Sequence, residues 1–279
     1  MTRKTTSLAL LLLGPVVLIN LVIFIWPILK LASFSFRQSL IGGGLGGGPT
    51  LDTWLTVLRD PYYVQLIGGS VGAAAGVTVL TLLAAYPLAM FVHRASERWR
   101  SLLMALCVTP LLVSAVVRTY GWLVILGDNG LIAALLRTLG IRPPRMVFNL
   151  TGVVIALVEI LMPTMILCLL AGFGRMEAAL EEAAASLGAS PMRVFRRVIL
   201  PLTLPGILLG CLMAFVLTVS SFITPKLLGG GRVILLATEI YDQAIVTLNW
   251  PVAAVLSMMA LMVFGATLLL YGRLVRAVA

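Results

Sequence analysis

Residues 151–173 read TGVVIALVEILMPTMILCLLAGF, an apolar run interrupted by a single charge, Glu159. A helix that crosses a bilayer core needs about 20 mostly apolar residues, and this run supplies them. Similar runs lie at about 7–29, 67–92, 102–126, 206–224 and 252–271. The first follows Arg3 and Lys4, as a secretory signal would. Its apolar core is longer than the ~7–15 residues of a signal, and no small-x-small cleavage pattern follows it. It is therefore expected to stay as an anchor. The expectation is an all-α integral membrane protein with about six transmembrane helices, folded as a single membrane domain over residues 1–279.

Composition agrees with that expectation. Hydrophobic residues make up 61% of the chain and charged residues 11%, with a mean hydropathy of +1.10. Soluble domains hold about 45–50% apolar and about 25% charged residues, so lipid must be part of the solvent here. A net charge of +10 would suit nucleic acid only if the basic residues formed one water-exposed face. They sit instead in short connections between apolar runs, which excludes a nucleic-acid partner. Cys107, Cys168 and Cys211 fall inside the apolar runs without metal-ligand spacing and read as small hydrophobes.

The connections also set an expected orientation. With both termini cytoplasmic, the inner segments hold Arg3, Lys4, Arg94, Arg98, Arg100, Arg175, Arg193, Arg196, Arg197, Arg273 and Arg276. The outer loops hold Lys30, Arg37, Arg59, Arg137, Arg142, Arg145, Lys226 and Arg232. Eleven against eight favours this sense under the positive-inside rule. The glycine run 42–48, broken by Leu45 and closed by Pro49, predicts a flexible outer loop. Asp128-Asn129-Gly130 is a turn signal. No lysine follows a glycine, so no Walker-type nucleotide loop is expected.

The longest inner connection, 174–205, reads GRMEAALEEAAASLGASPMRVFRRVILPLTLP. Residues 177–187 are rich in good helix formers, and Gly188 suits the C′ position that ends a helix. Ser190 offers an N-cap before Pro191 at the first helical position. The second short helix is expected to run to about Leu200, its extent limited by Pro201 and Pro205. Leu180, Ala184 and Leu187 share one face by helical spacing, with Glu181 and Glu182 beside it.

Glu182-Ala183-Ala184, three residues, Gly188, nine residues, then Val198-Ile199-Leu200-Pro201 resembles the EAA motif of binding-protein-dependent ABC importer permeases, with Val198 where Ile is usual. The resemblance implies a type I importer permease (MetI-like) fold in the inner membrane. It also implies that Glu182, Ala183, Ala184, Gly188, Leu200 and Pro201 mark a coupling helix that docks on a cytoplasmic ATPase. Small Ala183 and Ala184 would permit close approach, Gly188 the turn, and Glu182 an ion pair with the ATPase. Implied partners are a second homologous permease, two copies of the ATPase holding ATP and Mg, and a periplasmic solute-binding protein, with no cofactor in this chain. Segments 114–122 (SAVVRTYGW), 127–132 (GDNGLI), 220–232 (SSFITPKLLGGGR) and 237–250 look like the polyamine-type branch, which moves putrescine and spermidine.

Two ionisable residues interrupt the spans, and such residues are costly and often functional. Arg118 and Glu159 each lie about eight residues from the outer end of their span, roughly 12 Å deep, at depths that allow pairing. Two readings stand: an ion pair that fixes helix register, or a Glu159 carboxylate facing a cationic substrate. Further pathway candidates are Thr218, Ser220 and Ser221 at the outer end of the fifth span, together with Thr224. At the outer mouth, Asp128, Tyr241 and Asp242 join Glu239 and Trp250 in a possible cation vestibule, although aromatic residues are common at interfaces. His93 reads as an interfacial helix-end residue. An intramembrane enzyme lacks its second acid or metal set. An ion-coupled carrier would show inverted halves, and none is evident.

Overall fold

Without water in the bilayer core, a chain this apolar must satisfy its backbone within its own segments, which favours helices. The computed structural model describes residues 3–40, 45–174, 176 and 178–278, with side chains from residue 14 onward except at 178, 185 and 278. The Arg3 and Lys4 side chains, glycines 42–44, Arg175 and Glu177 thus lie outside the described residues. Among the described residues six helical segments are long and apolar enough to cross a membrane: Gly14–Ser35, Pro61–Arg94, Ala115–Thr138, Leu150–Phe173, Pro191–Val219 and Trp250–Ala277.

The chain divides into two compact units. One comprises Met1–Val64 with Glu239–Leu261. It begins with helix α1 (Arg3–Ser35), whose most apolar 18-residue window holds no buried residue in the isolated chain. A two-stranded antiparallel ribbon follows, β1 (Gln38–Ser39) on β2 (Leu45–Gly46), in the register Gln38↔Gly46. Part of the expected flexible glycine loop is therefore paired strand. Helix α2 (Asp52–Arg59) folds back on this segment, with Thr53 Oγ1 donating to Arg37 O at 2.8 Å and Gln38 Nε2 to Asp52 Oδ2 at 2.7 Å.

The second unit, Gln65–Thr238 with Met262–Ala279, holds the larger core. Helix α3 (Pro61–Arg94) enters it, followed by α4 (Glu97–Val108), α5 (Ala115–Leu126), α6 (Leu131–Thr138) and α7 (Leu150–Phe173). Next come α8 (Ala178–Ser186), α9 (Pro191–Val194), α10 (Leu200–Val219), α11 (Ile223–Leu228) and α12 (Leu236–Tyr241). Helix α13 (Trp250–Val278) closes the chain.

Two spans differ from expectation, each because of proline. The run 102–126 is not one helix. Pro110 lacks an N–H, and the chain passes through a 3₁₀ turn at Thr109–Leu112 and extended Val113 before α5 begins. The membrane-length segment is consequently Ala115–Thr138, which continues through the Asp128–Gly130 turn into α6. Conversely, Pro201 and Pro205 do not end the helix that begins at Pro191. A π turn, Phe195–Ile199, carries α9 into α10, with Leu200 N donating to Phe195 O. This puts Pro201 in the first turn of α10, where a missing N–H costs little. The segment then ends at Ser220 rather than at residue 224.

Between helices in lipid, close packing must replace the hydrophobic drive. Helices α7 and α10 achieve it with glycines. A Cβ added to Gly206 would meet Cys168 O at 2.7 Å and Gly172 Cα at 2.8 Å, and one on Gly210 would meet Met165 Sδ at 2.4 Å. The small-residue patch 206–210 thus finds its partner in α7. By contrast, a Cβ added to Gly68, Gly69, Gly72 or Gly76 of the second span would meet no atom within 4 Å.

Buried hydroxyls are satisfied locally. Ser70, Thr78, Thr81, Thr119, Thr203 and Thr218 each donate to the carbonyl four residues back, at 2.7–2.9 Å. Such bonding satisfies these six hydroxyls in the apolar interior, whereas among the described buried side-chain atoms His93 Nδ1 has no hydrogen-bond partner.

Gly206→Val should drive the α7–α10 crossing apart and cost about 1–3 kcal/mol, the usual range for overpacking. The purified protein in detergent is expected to melt earlier, whereas Gly68→Ala should leave the melting temperature unchanged.

Candidate functional site

The loop after α7 folds as two short helices around a glycine turn. Ala189 N donates to Ala184 O at 3.2 Å and Gly188 has φ +79°, the six-to-one closure of a Schellman ending. Glycine holds this left-handed position without Cβ strain. Ser190 occupies the N-cap position of α9 with Pro191 at N1, although its side chain makes no cap bond. Glu182 and Ala183 are exposed, Ala184 is half-buried, and Leu200 and Pro201 are exposed at the start of α10. Leu187 is 89% exposed, beside exposed Leu180 and Met192. A lone chain gains nothing by leaving large apolar side chains of this loop exposed, so the loop suits a partner protein.

Adjacent acids on α8 have different surroundings. Glu181 Oε2 accepts from Arg94 Nη2 at 2.9 Å, whereas Glu182 remains exposed. An open groove of about 460 Å³ runs beneath, lined by Met90 and Arg94 of α3, Glu181 and Glu182 of α8, and Phe195 and Ile199 behind α9. Behind it, the His93 ring stacks on Phe173 at 5.3 Å, and Tyr86 meets both Phe173 and Phe195. His93 is thus a packed helix-end residue.

Arg118 and Glu159 do pair. Arg118 Nη2 lies 2.7 Å from Glu159 Oε1 and 3.2 Å from the Glu159 carbonyl, while Nη1 donates to Pro110 O at 3.3 Å. The other carboxylate oxygen of Glu159 accepts from Trp122 Nε1 at 3.0 Å. The guanidinium therefore ties three elements, α5, α7 and the broken turn at Pro110, through an acid whose two oxygens are both engaged. The Arg118 side chain is 10% exposed and that of Glu159 36%. The bond from Trp122 could not be read from sequence, although the four-residue spacing puts Arg118 and Trp122 on one face of α5.

The remaining pathway candidates separate. Thr218 is buried and its hydroxyl is turned onto Ala214 O. Ser220 is exposed at the end of α10 and donates to Val216 O at 2.9 Å, and Ser221 is half-buried. Thr224, buried in α11, shares a hydrogen bond with Thr119 at 3.0 Å. Asp128 is exposed in the turn before α6, and its carbonyl accepts from Arg137 Nη2. These belong to the second unit; Tyr241 and Asp242 belong to the first.

In that first unit Glu239 is only 6% exposed. Its Oε2 accepts from Tyr62 O–H at 2.7 Å and its Oε1 from Gln243 Nε2 at 2.8 Å. Both of these donors are neutral, whereas Glu159 is met by a guanidinium.

Residues 78–278 match the family described as binding-protein-dependent transport system inner membrane component. The chain is 36% identical over 216 residues to the spermidine/putrescine transport system permease protein PotB of Haemophilus influenzae, covering 75% of this chain and 76% of that protein. It is 34% identical over 226 residues to PotB of Escherichia coli strain K12, covering 80% and 82%. It is also 33% identical over 204 residues to the molybdenum transport system permease protein ModB of Mycobacterium bovis, covering 72% and 75%. Among solved structures, a bacterial ABC transporter involved in the import of the acidic polysaccharide alginate shares its fold, with a TM-score of 0.76 at 16% identity over 98% of this chain and 96% of that one.

Arg118→Ala should cost about 2–3 kcal/mol, as expected for hydrogen bonds to a charged group left unpaired. Glu159→Gln keeps an acceptor for Arg118 and should cost about 1 kcal/mol. Thermal melts of the two purified variants would rank them. The reverse order would mean that Arg118 does not organise the site.

Proposed function

This chain belongs to the family of binding-protein-dependent transport system inner membrane components, the permease subunits of ABC importers, and on that premise we propose that its cargo is a polyamine such as putrescine or spermidine. The observation that carries this reading is the similarity to spermidine/putrescine permeases along three-quarters or more of the chain. Glu239 adds a physical reason. A buried carboxylate held by a tyrosine hydroxyl and an amide keeps its negative charge available to an ammonium group, and the Tyr62 and Tyr63 rings, 5.1 Å apart, stand beside it. The Glu159 charge is already matched by Arg118, so Glu159 is assigned to the scaffold. The same permease role with another small solute is the second reading, favoured by the similarity to a molybdenum-system permease.

In this scheme the chain forms half of a translocation pathway with a second, homologous permease. A periplasmic binding protein delivers the cargo, and two cytoplasmic ATPase subunits bind ATP and Mg. Both termini lie in the cytoplasm, in keeping with the basic residues of the inner connections. The chain contributes no ATP site. Work enters through α8 and the residue that follows it, where exposed Glu182, Ala183 and Leu187 offer one acid and an apolar surface to a groove on the ATPase. The Schellman turn at Gly188 fixes α8 against α9, so a push on α8 is passed through α9 and the π turn into α10.

Co-expression with its neighbouring genes should yield a complex whose ATPase activity rises only when a polyamine and the binding protein are both present. An ATPase complex indifferent to polyamines would retain the permease and discard the cargo. Gly188→Asp should abolish uptake while the protein stays in the membrane: an added Cβ meets no atom within 4 Å, and the strain of a side chain at φ +79° falls on the turn that fixes α8 against α9. The new charge would sit at the negative end of α8, on the docking surface. Glu239→Gln should raise the polyamine concentration for half-maximal stimulation about tenfold, the equivalent of losing one charge-assisted hydrogen bond. An unchanged value would remove Glu239 from the pathway.

A further inference from the structure

The loop 174–205 reaches α7 and α10 through the chain itself, and those two helices are locked together at Gly172 and Gly206. Helix α3 has no such covalent route. Where packing would otherwise join it to α8 there is the open groove, about 460 Å³ in volume, with Met90 and Arg94 on the α3 wall and Glu181 and Glu182 on the α8 wall. Among the described residues one side-chain hydrogen bond crosses from α8 to α3: Arg94 Nη2 to Glu181 Oε2 at 2.9 Å, between positions 87 apart in sequence.

From this we propose that Arg94 and Glu181 are positioning residues forming a strap that carries displacement of α8 to α3, and that the strap sets how tightly ATP hydrolysis is coupled to transport. The inference rests on the coupling role proposed above for α8 and extends it to a helix the EAA-like motif does not include.

The placement of the two charges fits a strap better than a clamp needed for folding. Arg94 is the last residue of α3 and Glu181 lies in the first turn of α8. Each charge therefore sits at a helix end whose dipole favours it, and each helix keeps that benefit when the partner is removed. Arg94 is 52% exposed and Glu181 26%, so the pair is wet and contributes little to stability. A bond of this kind can break and re-form during a working cycle, and its variants should still assemble. It also crosses the groove, giving α8 a direct route to α3 beside the indirect one through Phe195 of the π turn, which meets Tyr86 of α3.

Glu181 and Glu182 are adjacent yet do different work. Both line the groove, and Glu182 is exposed, open to an ATPase. Glu181 is turned inward and is engaged by this chain. If Glu181 instead contacted the ATPase directly, Arg94 would be irrelevant to coupling, and that difference can be measured.

The test uses the whole complex, permease pair with ATPase, reconstituted in proteoliposomes with binding protein and radiolabelled polyamine. Transport and ATP hydrolysis are read together as cargo moved per ATP. Wild type must first show stimulated hydrolysis; a complex without it would defeat the proposed function itself, before the strap is tested. Given a coupled wild type, Arg94→Gln and Glu181→Gln should each lower cargo per ATP by about two- to fivefold, the scale of an exposed ion pair, with ATPase still bound. The double variant Arg94→Gln with Glu181→Gln should equal either single variant, since one interaction is lost once. Arg94→Lys, which keeps the charge, should restore most of the ratio. Additive losses in the double variant, or a wild-type ratio in Arg94→Gln, would overturn the strap while leaving the permease reading intact.

Discussion

Water does not reach the middle of a bilayer, so each polar group that this chain carries into it must find its partner in the chain. Most of the architecture follows from that constraint. Buried threonines turn their hydroxyls onto their own helices. At the break the Pro110 carbonyl accepts from Val113 N and also from Arg118. Once a guanidinium is there it needs a counter-charge, which Glu159 supplies, and the second oxygen of Glu159 is taken up by the indole of Trp122. The buried guanidinium and its partners thus join α5 to α7.

The same constraint explains how the helices are held. Leucine gains little by leaving lipid for another leucine, so contact must come from shape. At the α7–α10 crossing the backbones approach until only glycine fits at 172 and 206. That rigid pair is connected by the loop carrying α8, and it gives a push on the loop something firm to act upon. By contrast α3 borders a groove and is reached by an exposed ion pair. Rigid and compliant connections therefore meet at one end of the second unit, as a mechanically driven permease requires.

Charge divides the candidate pathway in a similar way. A carboxylate already paired with arginine is part of the frame, and one held by neutral donors retains an unmatched charge. Glu159 and Glu239 look alike in sequence, each an acid near an apolar span, and differ in what surrounds them. Thr218, attractive from its place in a polar run, has its hydroxyl committed to Ala214 and is buried.

By itself the sequence determined the solvent, the number of spans, the glycine turn at 188 and the residues of the EAA-like loop, because hydropathy, turn chemistry and motif spacing are local properties. It placed Arg118 and Glu159 at matching depth for the same reason, since helical rise is constant. Only the tertiary structure decided that these two pair, that the run 102–126 breaks, and that the helix from Pro191 continues through Pro201 and Pro205 by way of a π turn. It alone joined Arg94 to Glu181 and Gly206 to Gly172. Contacts between segments so far apart depend on which helix faces meet, and hydropathy pattern does not encode that when every face of a span is apolar.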